Sequence, residues 1–412
     1  MNIADMESDI AFGAAAARGK VRLGEAACLL RLPIAAWPAR GGAQMNDMSE
    51  FTGAQSASSA RIEFEGEWRE FLPIALTNLL LTVATLGIYR FWAKARERRY
   101  LWSRTHLIDD SLEWTGTGLE MFLGFLIVMA VFIPGILILN FGIEALVLRG
   151  EVLAAGVVGV SVYAGLFYLY HVARFRALRY QLSRTYWHGI RGGSDDSGWR
   201  YGWSGLWRMG LGLLALGLLV PWAMTRLWNE RWSAMSFGPH RFAASAGTEG
   251  LIGRWLLIYL APFLGLLLMG LVGIVGALLG AFAGGDGNGA PTGMILTMLF
   301  GAALFYLAFL VLSLSFYALF YRHVAAATSV AGVRFQFTAR TKDWLKLILG
   351  NIALVVVTLG VGILFLSYRN WSFLVRHMEA SGALDLDEFT QSQTRAPTDA
   401  EGLADAFDFG AI

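Results

Sequence analysis

Seven apolar runs, each of roughly 20 residues, constrain the fold of this chain more than any other feature of its sequence. A run of that length is what an α-helix needs to cross the hydrocarbon core of a bilayer. Hydrophobic residues make up 56% of the chain and charged residues only 16%, whereas a soluble domain has about 25% charged residues. The sequence therefore predicts an all-α polytopic membrane protein. The runs cover residues 71–91, 120–147, 153–173, 205–225, 251–283, 294–321 and 344–367.

The positions of the runs also predict the domain organisation. Residues 61–392 contain all seven runs and form the predicted membrane domain. Residues 1–60 are rich in Ala, Gly and Ser, and Arg31 and Pro33 divide their apolar stretch, which argues against a signal peptide. We therefore expect a disordered N-terminal tail over residues 1–60 and a flexible C-terminal tail over residues 393–412.

The connections between the runs differ in charge. Only "LRGEV" joins the second run to the third, and "GGDGNGAPT" joins the fifth to the sixth, so both turns have almost no positive charge. The connections after the first, third, fourth and sixth runs are rich in arginine. By the positive-inside rule these basic loops, and the C-terminus, are predicted to be cytoplasmic. The fourth run would then begin and end on the same side, which one full crossing cannot do.

Three segments contain a Leu-Gly pair in the same context, and they predict an internal repeat. The segments are "TNLLLTVATLGIYRFWAKAR" (77–96), "RMGLGLLALGLLVPWAMTR" (208–226) and "GNIALVVVTLGVGILFLSYR" (350–369). In each, an aromatic residue stands six positions after the Leu, and an arginine stands ten positions after it. These residues are Trp92, Trp222 and Phe365, and Arg96, Arg226 and Arg369.

Two topologies are compatible with three such segments separated by an even number of crossings. In the first, each repeat enters and leaves the membrane on the same face, as a re-entrant or interfacial helix bent at its Gly. In the second, each repeat crosses fully, the charge rule is violated at one connection, and the orientation of the copies alternates, as in some transporters. The sequence leaves both topologies open.

Turn residues followed by short alternating segments occur in the basic connections and in "RIEFEGEW" (61–68). Alternation of this kind is typical of hairpin strands. Residues 104–118, 184–193, 236–247 and 328–340 show the same pattern. We predict a small cytoplasmic β layer built from these pieces.

The stretch "TLGIYRFWAKARERRYLWSRTHLIDDSLEWTGTG" (85–118), the third Leu-Gly segment and the closing "GALDLDEF" (382–389) resemble the YjgN family of bacterial inner-membrane proteins. The resemblance covers residues 61–392. The second segment departs from it most, because it has Pro221 and lacks the Thr before its Leu-Gly. The resemblance implies a multi-pass protein of the bacterial inner (plasma) membrane. Because the family's function is uncharacterised, it implies no catalytic or binding residue.

Three arginines and two tryptophans are candidate ligands for an anion or a lipid headgroup. If residues 88–103 are helical, Tyr89, Trp92, Arg96 and Tyr100 share one face. A cationic helix with Trp and Tyr suits the headgroup level of a membrane, where guanidinium groups meet phosphate. The alternative is ordinary anchoring at the interface without a ligand. The candidates are Arg96, Arg226, Arg369, Trp92 and Trp222.

Polar residues inside the apolar runs are few. Asn78 and Asn351 lie seven positions before the Thr of their Thr-Leu-Gly, and Arg208 holds that position in the second copy. Such side chains bond between helices, or they line a polar passage. Glu144 lies near the end of the second run, where it either reaches water or takes part in a proton relay.

Gly276, Gly280 and Gly284 recur every four residues in the fifth run. Such a stripe allows close packing, either with another helix of the chain or with a second copy in a homo-oligomer. Membrane lipids are the other expected partner. The net charge of +2 is too small to indicate nucleic acid binding. We find no phosphate loop, nucleophile elbow or zinc motif, so no catalytic residue, metal site or cofactor is predicted.

A transport or channel-like role is the leading functional hypothesis, because repeated units with glycine-broken helices and buried polar residues are how passages are built. The alternative is a non-transporting scaffold whose cationic helices bind lipid headgroups, and a membrane enzyme ranks third. A transporter predicts a water-accessible cavity that reaches the midplane of the membrane beside Asn78 and Asn351. A scaffold predicts a solid apolar core with positive charge only at its rim.

Overall fold

The computed structural model describes residues 62–282, 290–382, 390–392 and 394, which all belong to one unit, Gln55–Ile412. Its side chains are described except at residues 277 and 279–297. The predicted N-terminal tail, and the predicted C-terminal tail apart from residue 394, lie outside the described residues.

Ten helices occur in the described part of the chain, and their order accounts for the seven apolar runs. The helices are α1 (Trp68–Ala84), α2 (Arg90–Ser103), α3 (Gly118–Leu148), α4 (Val152–Arg184), α5 (Trp199–Leu214), α6 (Val220–Ser233), α7 (Leu251–Phe282), α8 (Ala290–Ala326), α9 (Thr341–Val357) and α10 (Leu366–Arg376). A π-helical turn at Ile138–Gly142 lies within α3, and a 3₁₀ turn at Val361–Phe365 precedes α10.

Four of these helices, α3, α4, α7 and α8, are long and apolar enough to cross a membrane. At most 11% of the most apolar window of each helix is buried within the protein, so its aliphatic side chains face the surroundings. Water would make such an exposed apolar surface costly, whereas hydrocarbon would not. The chain is therefore a membrane protein, as its composition predicts.

The first, fourth and seventh apolar runs each fold into a pair of short helices. We call these pairs hairpin 1 (α1 and α2), hairpin 2 (α5 and α6) and hairpin 3 (α9 and α10). The helices of hairpin 1 are antiparallel, because the Tyr100 hydroxyl, near the end of α2, donates over 2.9 Å to the carbonyl of Glu67, just before α1. Both ends of hairpin 1 therefore lie together, and the paired helices of the other hairpins also pack on each other.

A left-handed turn at the Leu-Gly pair reverses the chain at the tip of each hairpin. At Leu86 and Gly87 φ is 51° and 92°, a region where glycine is favoured and leucine is strained. The Gly87 N–H donates over 2.7 Å to the Thr82 carbonyl and closes the end of α1. Leu216-Gly217 and Leu359-Gly360 have the same turn and the same bond to the fifth residue back. The three segments thus share one turn, whereas their origin as an internal repeat stays a prediction.

Short strands between the helices form three small antiparallel sheets. The strands are β1 (Ile62–Phe64), β2 (Thr105–Leu107), β3 (Asp110–Ser111), β4 (Glu113–Trp114), β5 (Thr185–Trp187), β6 (Ile190–Gly193), β7 (Ser236–Phe237), β8 (His240–Arg241), β9 (Ala243–Ala244), β10 (Thr328–Val330), β11 (Val333–Phe337) and β12 (Met378–Ser381). Their orders are β1-β2-β3, β4-β5-β6-β7-β8 and β12-β11-β10-β9. The predicted small sheets are confirmed, and their cytoplasmic location stays a prediction.

Aromatic stacking joins hairpins 1 and 3 beside the sheets. Trp102 in α2 stacks on Trp371 in α10, with ring centroids 4.0 Å apart. The Trp102 indole N–H donates to the Thr185 hydroxyl, and that of Trp371 donates to the Thr105 hydroxyl, each over 2.9 Å. These contacts attach the ends of both helices to the strands that follow α2 and α4.

The glycine stripe of α7 is only partly described. Gly276 is exposed, and a Cβ at this position would have no atom within 4 Å. Among the residues whose side chains the structure describes, none packs against Gly276. The surroundings of Gly280 and the whole of Gly284 lie outside the described residues, so a homo-oligomer through this stripe stays a prediction.

Candidate functional site

A cavity of about 980 Å³ lies between the hairpins and the sheets. The second helix of every hairpin contributes to its wall the residues 12 and 15 positions after the tip leucine. These residues are Arg98 and Leu101 in α2, Trp228 and Arg231 in α6, and Trp371 and Leu374 in α10. Corresponding faces of the three hairpins therefore enclose one space, at the upper end of the roughly 300–1,000 Å³ range typical of ligand sites.

The wall of the cavity is largely apolar but has an excess of positive charge. Among the described residues, four cationic side chains line it, Arg90, Lys94, Arg98 and Arg231, against one acidic side chain, Glu97. Most of the other lining residues are leucine, phenylalanine or tryptophan. Because charges interact more strongly in surroundings of low polarity than in water, this wall favours an anion.

Arg98 is held in place by an aromatic ring. Its side chain is only 6% exposed, and its guanidinium carbon lies 4.8 Å from the centroid of the Trp114 ring. Trp114 is fixed in turn, because its indole N–H donates over 3.1 Å to the Gly116 carbonyl. Lys94 lies one helical turn before Arg98 and lines the same cavity. Together the two cations give α2 a charged inner face.

Arg231, near the end of α6, is the most deeply buried of the four cations, with 3% of the side chain exposed. Its guanidinium carbon lies 5.5 Å from the centroid of the Trp228 ring. Its Nε and Nη1 atoms are buried and have no hydrogen-bond partner among the described residues, and neither has the indole N–H of the adjacent Trp232. An unpaired buried donor costs about 1–3 kcal/mol, and a charged one costs more. Two residues of the cavity wall therefore carry three buried donors that no described group satisfies.

The charge of Arg231 is not neutralised by the groups that act on it most strongly. Among the described residues they are the phenols of Tyr201, Tyr321 and Tyr170 and the guanidinium of Arg174, none of which is a carboxylate. Burial lowers the pKa of Arg231, and the like charge of Arg174 acts in the same direction. An arginine nevertheless stays charged at physiological pH. Arg231 is thus a buried positive charge beside a cavity.

The three arginines predicted from the Leu-Gly segments lie outside this cavity. Arg96 and Arg226 are exposed, Arg369 is half-buried, and none of them lines the cavity wall. Arg96 donates to the Tyr89 hydroxyl over 3.3 Å, so the predicted aromatic contact forms on the outer face of α2. Residues two positions apart in a helix point about 200° apart, and Arg98 therefore faces the cavity where Arg96 cannot.

The other predicted headgroup ligands have packing partners within the protein. The Arg369 guanidinium lies against Gly350, where a Cβ would be 2.5 Å from its Nη2 atom. Trp92 packs against the start of α3, and Trp222 packs edge-on against Trp207, with ring centroids 6.0 Å apart. Headgroup binding by these residues stays a prediction.

The predicted intramembrane asparagines contact the second helix of their own hairpins. Asn78 is 3% exposed, and its amide donates to the Ala93 carbonyl over 3.2 Å. Asn351 donates to the Asn370 side chain over 3.0 Å. Asn78 and Asn370 line the cavity, whereas Asn351 reaches it only through Asn370. Both asparagines therefore bond between helices, and one also presents a polar group to the cavity.

The other two predicted polar residues lie in different surroundings. Arg208, which matches the asparagines in sequence position, forms an ion pair with Glu230 across hairpin 2. Glu144 is exposed near the end of α3, after the π-helical turn. Within the described residues no group of three or more His, Cys, Asp or Glu side chains could hold a metal ion.

Sequence reasoning missed the cavity residues Arg98, Arg231 and Trp232. One signal could have found Arg231, because it stands 15 positions after its tip leucine, where the other two segments have Leu101 and Leu374. A charge in place of leucine on a buried helix face needs a compensating partner, and such positions are candidates for function.

Comparisons with known proteins agree with the resemblance in the sequence motifs. A model of the family described as bacterial protein of unknown function (DUF898) matches residues 59–406. The chain is 25% identical over 156 residues to a protein of Salmonella typhimurium named inner membrane protein YjgN. That alignment covers 38% of this chain and 36% of the relative, so the chain matches about a third of the relative's length. No solved structure matches.

The family match extends over nearly all of the described residues, including the three hairpins, the sheets and the cavity between them. The chain therefore belongs to the DUF898 family of bacterial proteins, and its resemblance to the YjgN family is confirmed.

Proposed function

We propose that the chain is an inner-membrane transport or channel-like protein, in which three re-entrant hairpins surround a binding cavity for an anionic solute. The observation that carries this proposal is the cavity of about 980 Å³ with Arg98 and Arg231 in its wall. A scaffold predicts a solid apolar core with positive charge only at its rim, not buried cations around an internal space. The name of the relative supports placing the protein in the inner membrane.

The hairpin tips support re-entry. Leu86, Leu216 and Leu359 are 95%, 73% and 94% exposed, although leucine is strained in a left-handed turn. Exposing a leucine at such a position is favourable in hydrocarbon and unfavourable in water. The N–H groups of both residues in each Leu-Gly pair donate to backbone carbonyls of the preceding helix, as a turn within lipid requires.

Helix length supports the same topology. The 17 residues of α1, at about 1.5 Å each, extend for about 26 Å, which is less than the roughly 30 Å of a hydrocarbon core. Re-entry also places both ends of each hairpin on the basic side. The contradiction in the charge pattern disappears, because only α3, α4, α7 and α8 then cross. The sheets and the C-terminus are cytoplasmic in this arrangement.

Reconstitution of the purified full-length protein into phosphatidylcholine vesicles tests the transport role. We expect uptake of radiolabelled glycerol 3-phosphate above that of empty vesicles, and no added uptake of glucose or tetraethylammonium. Arg98→Gln removes a cavity charge and should lower anion uptake roughly tenfold or more. Arg96→Gln, on the outer face of the same helix, is the matched control and should leave uptake unchanged. Equal uptake by the two variants, or none above empty vesicles, would contradict the role.

A non-transporting role in lipid-headgroup binding is the second candidate, and the outer face of α2 favours it. Arg96, Arg99 and Tyr100 line a shallow pocket of about 260 Å³ there, together with Ile74 and Ser103. Guanidinium groups beside an aromatic ring suit a phosphate headgroup. This role predicts that detergent-extracted protein retains phosphatidylglycerol over phosphatidylcholine, and that Arg96→Gln, not Arg98→Gln, abolishes the preference.

A further inference from the structure

Arg231 and Trp232 combine features that an arginine and a tryptophan kept only for packing would not need. Arg231 is 3% exposed, and among the described residues the groups that act most strongly on its charge include no carboxylate. Its Nε and Nη1 atoms and the Trp232 indole N–H have no partner among the described residues. Both side chains line the cavity.

The surroundings of the two residues indicate the body of the ligand. Trp228 lies under the Arg231 guanidinium and is itself fixed, because its indole N–H donates to the Thr328 hydroxyl over 3.1 Å. The Trp232 ring packs edge-on against Phe242, with centroids 5.1 Å apart. Phe335 and other apolar side chains extend the wall. An inorganic ion would fill only a small part of about 980 Å³ and would leave these surfaces without a partner.

We propose that Arg231 and Trp232 form a binding site for the phosphate head of a ligand whose apolar body lies against the aromatic wall of the cavity. The proposal deepens the proposed function. It rests on that function in one respect, because it requires that ligands enter the cavity. A planar guanidinium donates a parallel pair of hydrogen bonds to an oxyanion through Nη2 together with either Nε or Nη1, and the indole N–H adds a third bond. The bound anion would also neutralise the buried charge.

A binding measurement on the full chain in phosphatidylcholine nanodiscs tests the site. The probes are dodecyl phosphate, which enters the membrane, and 1-naphthyl phosphate, which is water-soluble. Two controls accompany them. Inorganic phosphate is the anionic head without an apolar body, and dodecyltrimethylammonium has the apolar chain with a positive charge. We expect at least one amphiphilic phosphate to raise the melting temperature, while both controls have little effect. The effective probe identifies the source of the ligand, a lipid or a solute. No effect from either would overturn the proposal.

Two arginine variants distinguish a role of Arg231 in binding from a role in stability. Arg231→Met should weaken binding of the effective probe roughly 10- to 100-fold, as expected for the loss of a charged hydrogen bond. Without ligand it should melt no lower than the wild type, because methionine removes an unpaired buried charge and keeps an apolar stem. Arg241→Met changes an exposed arginine of β8 outside the cavity wall and should bind as the wild type does. A purely structural Arg231 predicts the opposite, a lower melting temperature with unchanged binding.

A milder change keeps the site testable if Arg231→Met does not fold. Trp232→Phe removes the indole N–H and the pyrrole ring but keeps an aromatic side chain, and it should weaken binding several-fold, so unchanged binding would contradict the site. Binding without vesicle uptake would leave the site standing and refute transport. Uptake that is unaffected by Arg231→Met would refute the site and leave transport standing.

Discussion

A charged residue at a hairpin tip should destabilise the protein only if the tip lies in hydrocarbon. Leu86 is 95% exposed and points away from the protein, so Leu86→Asp removes almost no internal contact. In water such a surface change is typically within about 0.5 kcal/mol, and aspartate tolerates a φ of 51° better than leucine does. Near the centre of a bilayer a charged aspartate costs about 2.5–3.5 kcal/mol. We therefore expect Leu86→Asp to lower the free energy of unfolding by roughly 2–3 kcal/mol.

Ile108 provides the matched control. It lies in the turn between β2 and β3, has a φ of 64° and is 39% exposed, so its backbone resembles that of Leu86 while its expected surroundings are aqueous. Ile108→Asp should change stability by no more than about 0.5 kcal/mol. Unfolding by SDS in phosphatidylcholine bicelles, followed by tryptophan fluorescence, compares the two variants. A loss at Leu86 no larger than that at Ile108 would refute the placement of the tip in lipid.

Three further predictions concern contacts within the hairpins. Gly87→Ala should cost about 1–2 kcal/mol of stability, measured in the same bicelles, from the backbone alone, because φ is 92° and a Cβ there would touch nothing. Arg208→Met should lower stability by about 1–3 kcal/mol because it leaves Glu230 without its partner, and a double-mutant cycle with Glu230→Gln should recover part of that loss. Asn351→Leu should cost about 0.5–1 kcal/mol through the lost bond to Asn370, and addition of Asn370→Leu should cost little more.

The turns of the fold were accessible to sequence reasoning. Gly87 and its two counterparts are required by positive φ, and the Leu-Gly spacing identified all three tips. Hydropathy also identified the four helices that are long and apolar enough to cross a membrane, as four of seven apolar runs. Hydropathy could not distinguish an apolar run that folds into a hairpin from one that forms a straight helix, because it reports only the apolar content of the run. The turn itself, closed by the bond from the Gly87 N–H to the Thr82 carbonyl, needed the structure.

The candidate site was less accessible, for a reason that lies in α2. Arginines occur on opposite faces of this helix, at Arg96 and Arg98, and the sequence alone does not say which face turns inward. That choice depends on tertiary contacts such as the stacking of Trp102 on Trp371. Arg231 was missed because the repeat is defined by positions at which the three segments agree. Arg231 stands at a position where they differ, since the other two segments have leucine there.

Cysteine accessibility across hairpin 2 tests re-entry most directly. In a Cys28→Ser background, single cysteines replace Trp203, Leu216 and Arg226, which are all exposed. A membrane-impermeant maleimide is added to sealed vesicles of both orientations. Re-entry predicts that the cysteines at 203 and 226 are modified from the same side and that the one at 216 is modified from neither. Modification of 203 and 226 from opposite sides would contradict re-entry at this hairpin.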